Sequence, residues 1–170
     1  MTKYIKNSYL FGIVGGALTL VAFWVLKALD LEPIDFTLFF ACMITPVFVF
    51  IGMKNFRDEH SDGELLFAQG MTVGFVIYTS LAIVTALGIA LFLNLDQGIF
   101  ISHRAEKIAW LEGQEDYITE NVNKEAFDET MSKNLDMSIS DIALDVFLKI
   151  FMLELFFTII ISIILKRTKS

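Results

Sequence analysis

Four long apolar runs occupy residues 8–29, 34–53, 71–93 and 146–165 of a 170-residue chain. A helix needs about 20 mostly apolar residues to cross the hydrocarbon core of a bilayer. Together the runs leave too little sequence for a water-soluble domain of ordinary size. The sequence therefore predicts an all-α integral membrane protein: four transmembrane helices packed as a four-helix bundle, a single domain over 1–170, with an acidic, partly helical segment at 94–141 outside the membrane. Composition agrees, with 55% apolar residues, 17 Phe and only 2 Pro. That mixture suits continuous helices, in which each backbone polar group is satisfied inside its own segment. Strands of a membrane barrel would alternate in polarity over about 10 residues, whereas these runs are apolar all round.

The first run follows Lys3 and Lys6, as a signal peptide would. It is nevertheless longer than the usual core of about 7–15 residues, and no A-x-A-like site follows before Asp30, so it is read as a retained helix. The one cysteine, Cys42, lies within the second run, which rules out an intrachain disulfide or a cysteine-based metal cluster.

Charge placement predicts the orientation. Lys3 and Lys6 precede the first run, Lys54 and Arg57 follow the second, and Lys166, Arg167 and Lys169 follow the fourth. Short loops rich in Lys and Arg stay on the cytoplasmic side, so both termini are expected inside. The opposite turn at 27–35 sets Lys27 against Asp30, Glu32 and Asp35. Segment 94–141 holds 11 Asp or Glu against Arg104, Lys107, Lys124 and Lys133, a net of −7 that equals the formal charge of the whole chain. Such a surface disfavours nucleic acid and repels anionic headgroups within a Debye length of about 8 Å. Leu111, Ile118, Val122 and Ala126 fall on one helical stripe flanked by Asp116, Glu120, Glu125 and Glu129, which predicts a helix lying on something, as part of a solvated hairpin that caps the bundle or as a dedicated partner-binding surface.

Two capping boxes are expected just outside the lipid. Ser61 with Glu64 would start the third helix near Asp62, and Ser138 with Asp141 would start the fourth near Ile139. Packing signals are also present. Gly70, Gly74, Ala82, Ala86 and Ala90 form an i, i+4 row broken only by Tyr78, and Gly12 with Gly16 makes a GxxxG. Small residues let backbones approach where lipid is as apolar as leucine; packing inside one bundle is expected, although the same faces would suit a homodimer. Pro46, preceded by Thr45, removes one hydrogen bond near the middle of the second helix and favours a kink.

Glu154 is the residue that most needs a reason. It stands 12 residues before Lys166, roughly 18 Å along a helix at 1.5 Å per residue, and so near the bilayer centre. A charge there costs about 2.5–3.5 kcal/mol on insertion scales. The side chain should face the bundle as a neutral hydrogen-bonded group, pair with a partner, or serve as a coupling site. Lys149 lies about 140° round the helix and is expected to meet Asp145 at i−4. Other chemistry is thin. Asp58, His60, Asp62 and Glu64 crowd seven residues but read as a hydrated loop rather than a metal site. His103 has no neighbouring Cys or second His, and neither G-x-S-x-G nor H-E-x-x-H occurs. No cofactor, metal or catalytic residue is expected, and enzymatic activity is not.

The second basic turn carries a resemblance. Ile51-Gly52-Met53-Lys54-Asn55-Phe56-Arg57-Asp58, followed by Gly63, Leu65, Phe67, Val73 and Gly74, resembles the pattern of the bacterial membrane family catalogued as domain of unknown function 4199. Length, span number, the acidic segment and the Lys-Arg tail are similar as well. The resemblance implies a four-span protein of the bacterial inner membrane with no established activity to carry over, and the charge placement above adds that this multi-pass chain is N-in and C-in. Read from the residues alone, Lys54, Arg57 and Asp58 anchor the helix end to lipid phosphates or dock a cytoplasmic protein, with Asp58 paired to Lys54 at i−4. The functional expectation is a non-catalytic accessory or assembly subunit of an envelope process, with the lipid bilayer and a membrane or envelope protein as partners. The alternative is a small proton-coupled transporter using Glu154 as its titrating site.

Overall fold

The computed structural model describes residues 2–168, so Lys169 of the basic tail lies outside the described residues. Seven helices follow in order: α1 (Thr2–Ala28), α2 (Pro33–His60), α3 (Phe67–Leu95), α4 (Gln97–Glu112), α5 (Glu115–Asn121), α6 (Lys124–Leu135) and α7 (Ile139–Leu165). Four of them, α1, α2, α3 and α7, are long and apolar enough to cross a membrane. Two compact units result: one takes in the chain up to Ile89 and from Leu144 onward, and the other is Ala90–Ala143.

The first unit is apolar on its exterior as well as in its core. Leu10, Phe39, Met43, Leu87, Phe156 and Ile164 are exposed, whereas Ser8, Thr19, Thr37, Thr45, Thr85, Glu154, Thr158 and Ser162 are buried. An apolar exterior meets lipid at no penalty; of the buried hydroxyls, Thr19 and Thr45 donate back to carbonyls of their own helices, while Ser162 reaches across from α7 to Met53 of α2. Close crossings use small residues. A Cβ on Gly12 would lie 2.3 Å from the Ile77 carbonyl oxygen, and one on Gly74 would lie 2.5 Å from both Met53 Cε and Thr158 Cγ2.

Turns are closed by recognisable chemistry. After α1, Leu31 N–H reaches back to Leu26 C=O (3.1 Å) and Asp30 N–H to Lys27 C=O (3.0 Å), a Schellman closure with Asp30 at φ 55. Glu32 then caps α2, accepting from the amides of Ile34 and Asp35, with Pro33 at the first helical position. The helix runs without interruption through Pro46.

The expected start of α3 is corrected. Ser61 ends α2, Asp62 and Gly63 take positive φ of 52 and 78, and α3 begins only at Phe67. The Ser61–Glu64 pair is a turn, with Glu64 N–H donating to Ser61 C=O at 2.8 Å. Glycine at position 63 supplies the left-handed backbone that this turn needs and a helix cannot use. Leu65 is then free to pair with Arg167 in an isolated antiparallel bridge, its N–H to the Arg167 carbonyl at 2.8 Å and the reverse bond at 3.0 Å. At the other helix the expected box forms: Ser138 N–H donates to Asp141 Oδ2 (2.8 Å) and Asp141 N–H to Ser138 Oγ (3.3 Å).

The core of this unit gathers where α2, α3 and α7 meet near that bridge. Val49, Met53, Phe56, Leu65, Val73, Ile77, Tyr78, Ile161 and Leu165 are buried together. Tyr4 stacks on Phe56 at 5.1 Å between ring centres, and Lys3 sits over the Phe56 ring and donates to the His60 carbonyl. The N-terminal turn, the α2–α3 turn and the segment after α7 thus share one end of the bundle.

The second unit corrects the single stripe expected at 111–126. Chain direction changes at Gly113–Gln114 and again at Asn123, whose side chain caps α6 by accepting from Ala126 N–H at 2.7 Å. Helix α6 packs against α4 and α5. Leu111 is buried but Val122 is exposed, and Phe127 of α6 is buried as well. A caps-first sequence, Gly then Asn, overrides the apolar periodicity.

Candidate functional site

Helix α7 carries Glu154, Thr158 and Ser162 at successive i, i+4 positions, all buried. This spacing puts the three polar groups on one face, turned into the bundle because the opposite face, with Phe156, Ile160 and Ile163, is exposed. Helix α2 contributes a matching row of Thr37, Ala41 and Thr45, also buried. Ser162 Oγ donates to Met53 Sδ at 3.7 Å, and Thr158 lies against Gly74 of α3.

Glu154 is 1% exposed, and neither carboxyl oxygen receives a hydrogen bond. Thr45 faces it from α2, but a hydroxyl has one proton, and Thr45 donates its own to the Ala41 carbonyl at 2.7 Å. What Thr45 turns toward Glu154 is therefore an acceptor. Pro46 has no N–H, so the Cys42 carbonyl four residues earlier loses its helical donor. The Thr45 oxygen and the Glu154 carboxyl thus face one another as acceptors, and buried acceptors are stable only when a donor meets them.

A cleft of ≈ 410 Å³ opens beside this carboxyl, lined by Leu38, Phe39 and Cys42 of α2 and by Lys149, Ile150, Leu153 and Glu154 of α7. Lys149 does not reach in as a counter-ion, because its ammonium is held by Asp145 at 2.5 Å, the i−4 pairing expected from sequence. The lining is mostly apolar, with the Glu154 carboxyl as its buried polar group. Sequence reasoning singled out Glu154 but missed Leu38, Phe39 and Cys42 as its neighbours and Thr158 as its row-mate. The i, i+4, i+8 polar row on an otherwise apolar helix was the available signal.

The other singled-out residues are distributed as follows. Gly12 and Gly16 of α1 meet α3 at Ile77 and Val84, Gly70 of α3 meets Ser162 of α7, and Gly74 meets Met53 and Thr158. Ala82 and Ala86 are buried and Ala90 is half-buried. Asp58 takes the Arg57 guanidinium at 2.7 Å, correcting the expected Lys54 pairing. Lys54 remains exposed. Around His60, Asp58 turns to Arg57 and the imidazole leans on the Phe56 ring at 6.0 Å.

An apolar exterior, four membrane-length helices and small-residue crossings define a multi-pass α-helical membrane protein. Within that class, the family described as "Protein of unknown function (DUF4199)" matches residues 10–167, and the chain belongs to it. Neither a curated protein nor a solved structure matches the chain. The residues that carried the resemblance are structural in this bundle: Met53, Phe56, Leu65 and Val73 lie in the core, Gly74 is a helix crossing, and Gly63 makes the turn.

Proposed function

We propose that the protein is a small, non-catalytic accessory or assembly subunit of an envelope process in the bacterial inner membrane, with both termini cytoplasmic. One observation carries this reading. The second unit, Ala90–Ala143, contains the excess negative charge and still leaves large apolar groups outward: Trp110 and Tyr117 each stand 66% exposed and Val122 stands 65% exposed. These residues lie outside the long apolar helices, where contact with lipid tails does not account for them. Aromatic anchors within a charged surface suit a protein partner. Basic residues at the bundle end formed by Lys3, Arg57 and Arg167 support the cytoplasmic placement of that end. A photo-crosslinking residue at Trp110 or Tyr117 should give one dominant protein adduct in native membranes. Adducts with lipid alone, or none beyond those of the same residue at lipid-facing Phe156, would overturn the reading.

Glu154 and its cleft support a second reading, a small proton-coupled transporter acting as a dimer. Under it, Glu154→Gln abolishes solute-driven pH change in reconstituted vesicles while the protein stays folded. Under the first reading, wild-type vesicles show no Glu154-dependent proton movement across a screen of small cationic and anionic solutes.

A further inference from the structure

The geometry points to the α2–α7 cleft as a binding site for a lipid-soluble primary amine, with the apolar body against Leu38, Phe39, Ile150 and Leu153 and the N–H groups on Glu154. The inference does not rest on the accessory role, since any membrane subunit with this cleft would have the site.

Three features select that chemistry. The first is the surplus of acceptors. Both Glu154 oxygens lack a donor, and Thr45, which faces them, spends its proton on Ala41. A ligand that matches must bring several donors to one point, and a primary ammonium brings three with no acceptor of its own. The second is charge. The cation within the lining is Lys149, and Asp145 already holds it at 2.5 Å, so an incoming ammonium meets a carboxyl group without a competing internal counter-ion. Inside a low-dielectric site such a charge-assisted contact is stronger than the same contact in water. The third is size and access. A volume of ≈ 410 Å³ falls in the range of small-molecule sites, which are mostly apolar with a few placed polar groups. Phe39 and Leu153 line the cleft and are themselves exposed on the apolar exterior, so the route in is through the lipid. An anionic or purely hydrocarbon ligand would leave the acceptors unmet or opposed.

Cys42, the one cysteine of the chain, lines the same cleft and serves as a built-in reporter. The full-length protein is reconstituted in phosphatidylcholine vesicles, and Cys42 is modified with methyl methanethiosulfonate, a small membrane-permeant reagent. Octylamine is the probe; octanol and octyltrimethylammonium are comparators that lack, respectively, the charge and the N–H donors. Octylamine should slow Cys42 modification about tenfold relative to either comparator, the factor expected for one charge-assisted hydrogen bond. A cysteine at lipid-facing Phe156, in a Cys42→Ala background, reports general effects on the bilayer and should react at the same rate throughout. Glu154→Gln should remove the selectivity for the amine. Leu153→Trp, a substitution at an exposed rim position, should block the cleft and remove protection with Glu154 intact, which keeps the test decisive should Glu154→Gln fail to fold. Equal protection by octanol and octylamine, no protection by octylamine, or amine-selective protection that survives Glu154→Gln would each overturn the proposal. Failure of the photo-crosslinking experiment at Trp110 would leave this one unaffected.

Discussion

At single positions, what matters most in this bundle is the space that is not taken. Gly74 sits where α3 passes both α2 and α7, and a side chain there would run into Met53 Cε and Thr158 Cγ2 at 2.5 Å. The methionine end can swing away, but the β-branched threonine is stiff about χ1. Gly12 is tighter in kind, because its nearest neighbour is backbone, the Ile77 carbonyl oxygen at 2.3 Å. Gly74→Leu and Gly12→Ala should therefore each lower thermal stability in detergent, with overpacking costing about 1–3 kcal/mol. Gly98→Ala, whose Cβ would meet the far end of the Asp96 side chain at 3.0 Å, should be milder. Unchanged melting for both Gly74→Leu and Gly12→Ala would mean that these helices do not cross as described.

Among the helices, the boundaries show what a sequence can and cannot reveal. Apolar runs located the four spans because water-to-lipid transfer acts on composition alone. The runs 34–53 and 71–93 lie inside α2 (Pro33–His60) and α3 (Phe67–Leu95). Helix ends answer to different physics, namely which side chain reaches which orphan amide. The same S/T-x-x-acid spacing made a true cap at Ser138–Asp141 and a mere turn at Ser61–Glu64, since Gly63 and the Leu65–Arg167 bridge claim the backbone there. That bridge joins segments some hundred residues apart, which no local pattern encodes. Glu154 was legible because a lone carboxyl in a long apolar run has no bland neighbours, whereas Cys42 and Phe39 become its neighbours only through packing of α2 on α7. Ser138→Ala should cost about 0.5–2 kcal/mol as a lost cap and speed amide exchange at Asp141 and Ile142. No change in either would sink the cap assignment. In α6, the hydrogen bond from Lys133 at 2.7 Å, aided by its charge, holds the Glu129 carboxyl below the usual glutamate range. Since the folded value is depressed, this contribution to helix stability is present above the ordinary glutamate value and fades as pH falls through the folded one. Lys133→Ala should move the Glu129 midpoint upward in a carboxyl NMR titration, and an unmoved midpoint would show that the pair does not persist in solution.

For the molecule as a whole, the common end of the bundle imposes a topological condition that holds whatever the membrane. Lys3 donates to the His60 carbonyl, Tyr4 stacks on Phe56, and Arg167 pairs with Leu65, so positions 3, 62 and 168 cannot lie on opposite faces of a bilayer. Residue 120 follows one further crossing, by α3, and precedes the return through α7. Single cysteines at Lys3, Asp62 and Thr168 in a Cys42→Ala background should therefore behave alike toward an impermeant thiol reagent, and one at Glu120 should behave oppositely. The basic residues that cluster at the first three positions set the sign expected under the proposed function. Lys and Arg in short loops are retained on the cytoplasmic side, while the acidic segment carries little weight in orientation. In intact cells, or in spheroplasts where an outer membrane blocks the reagent, Lys3, Asp62 and Thr168 should be protected and Glu120 labelled, and lysis should expose all four. The two halves of the condition fail separately. Labelling of all three basic-end positions with Glu120 protected would reverse the orientation but leave the bundle intact. Mixed labelling among Lys3, Asp62 and Thr168 would break the bundle itself, because it would separate the partners of a hydrogen-bonded bridge and a ring stack that have no way to span 30 Å of hydrocarbon, about the thickness of the bilayer core.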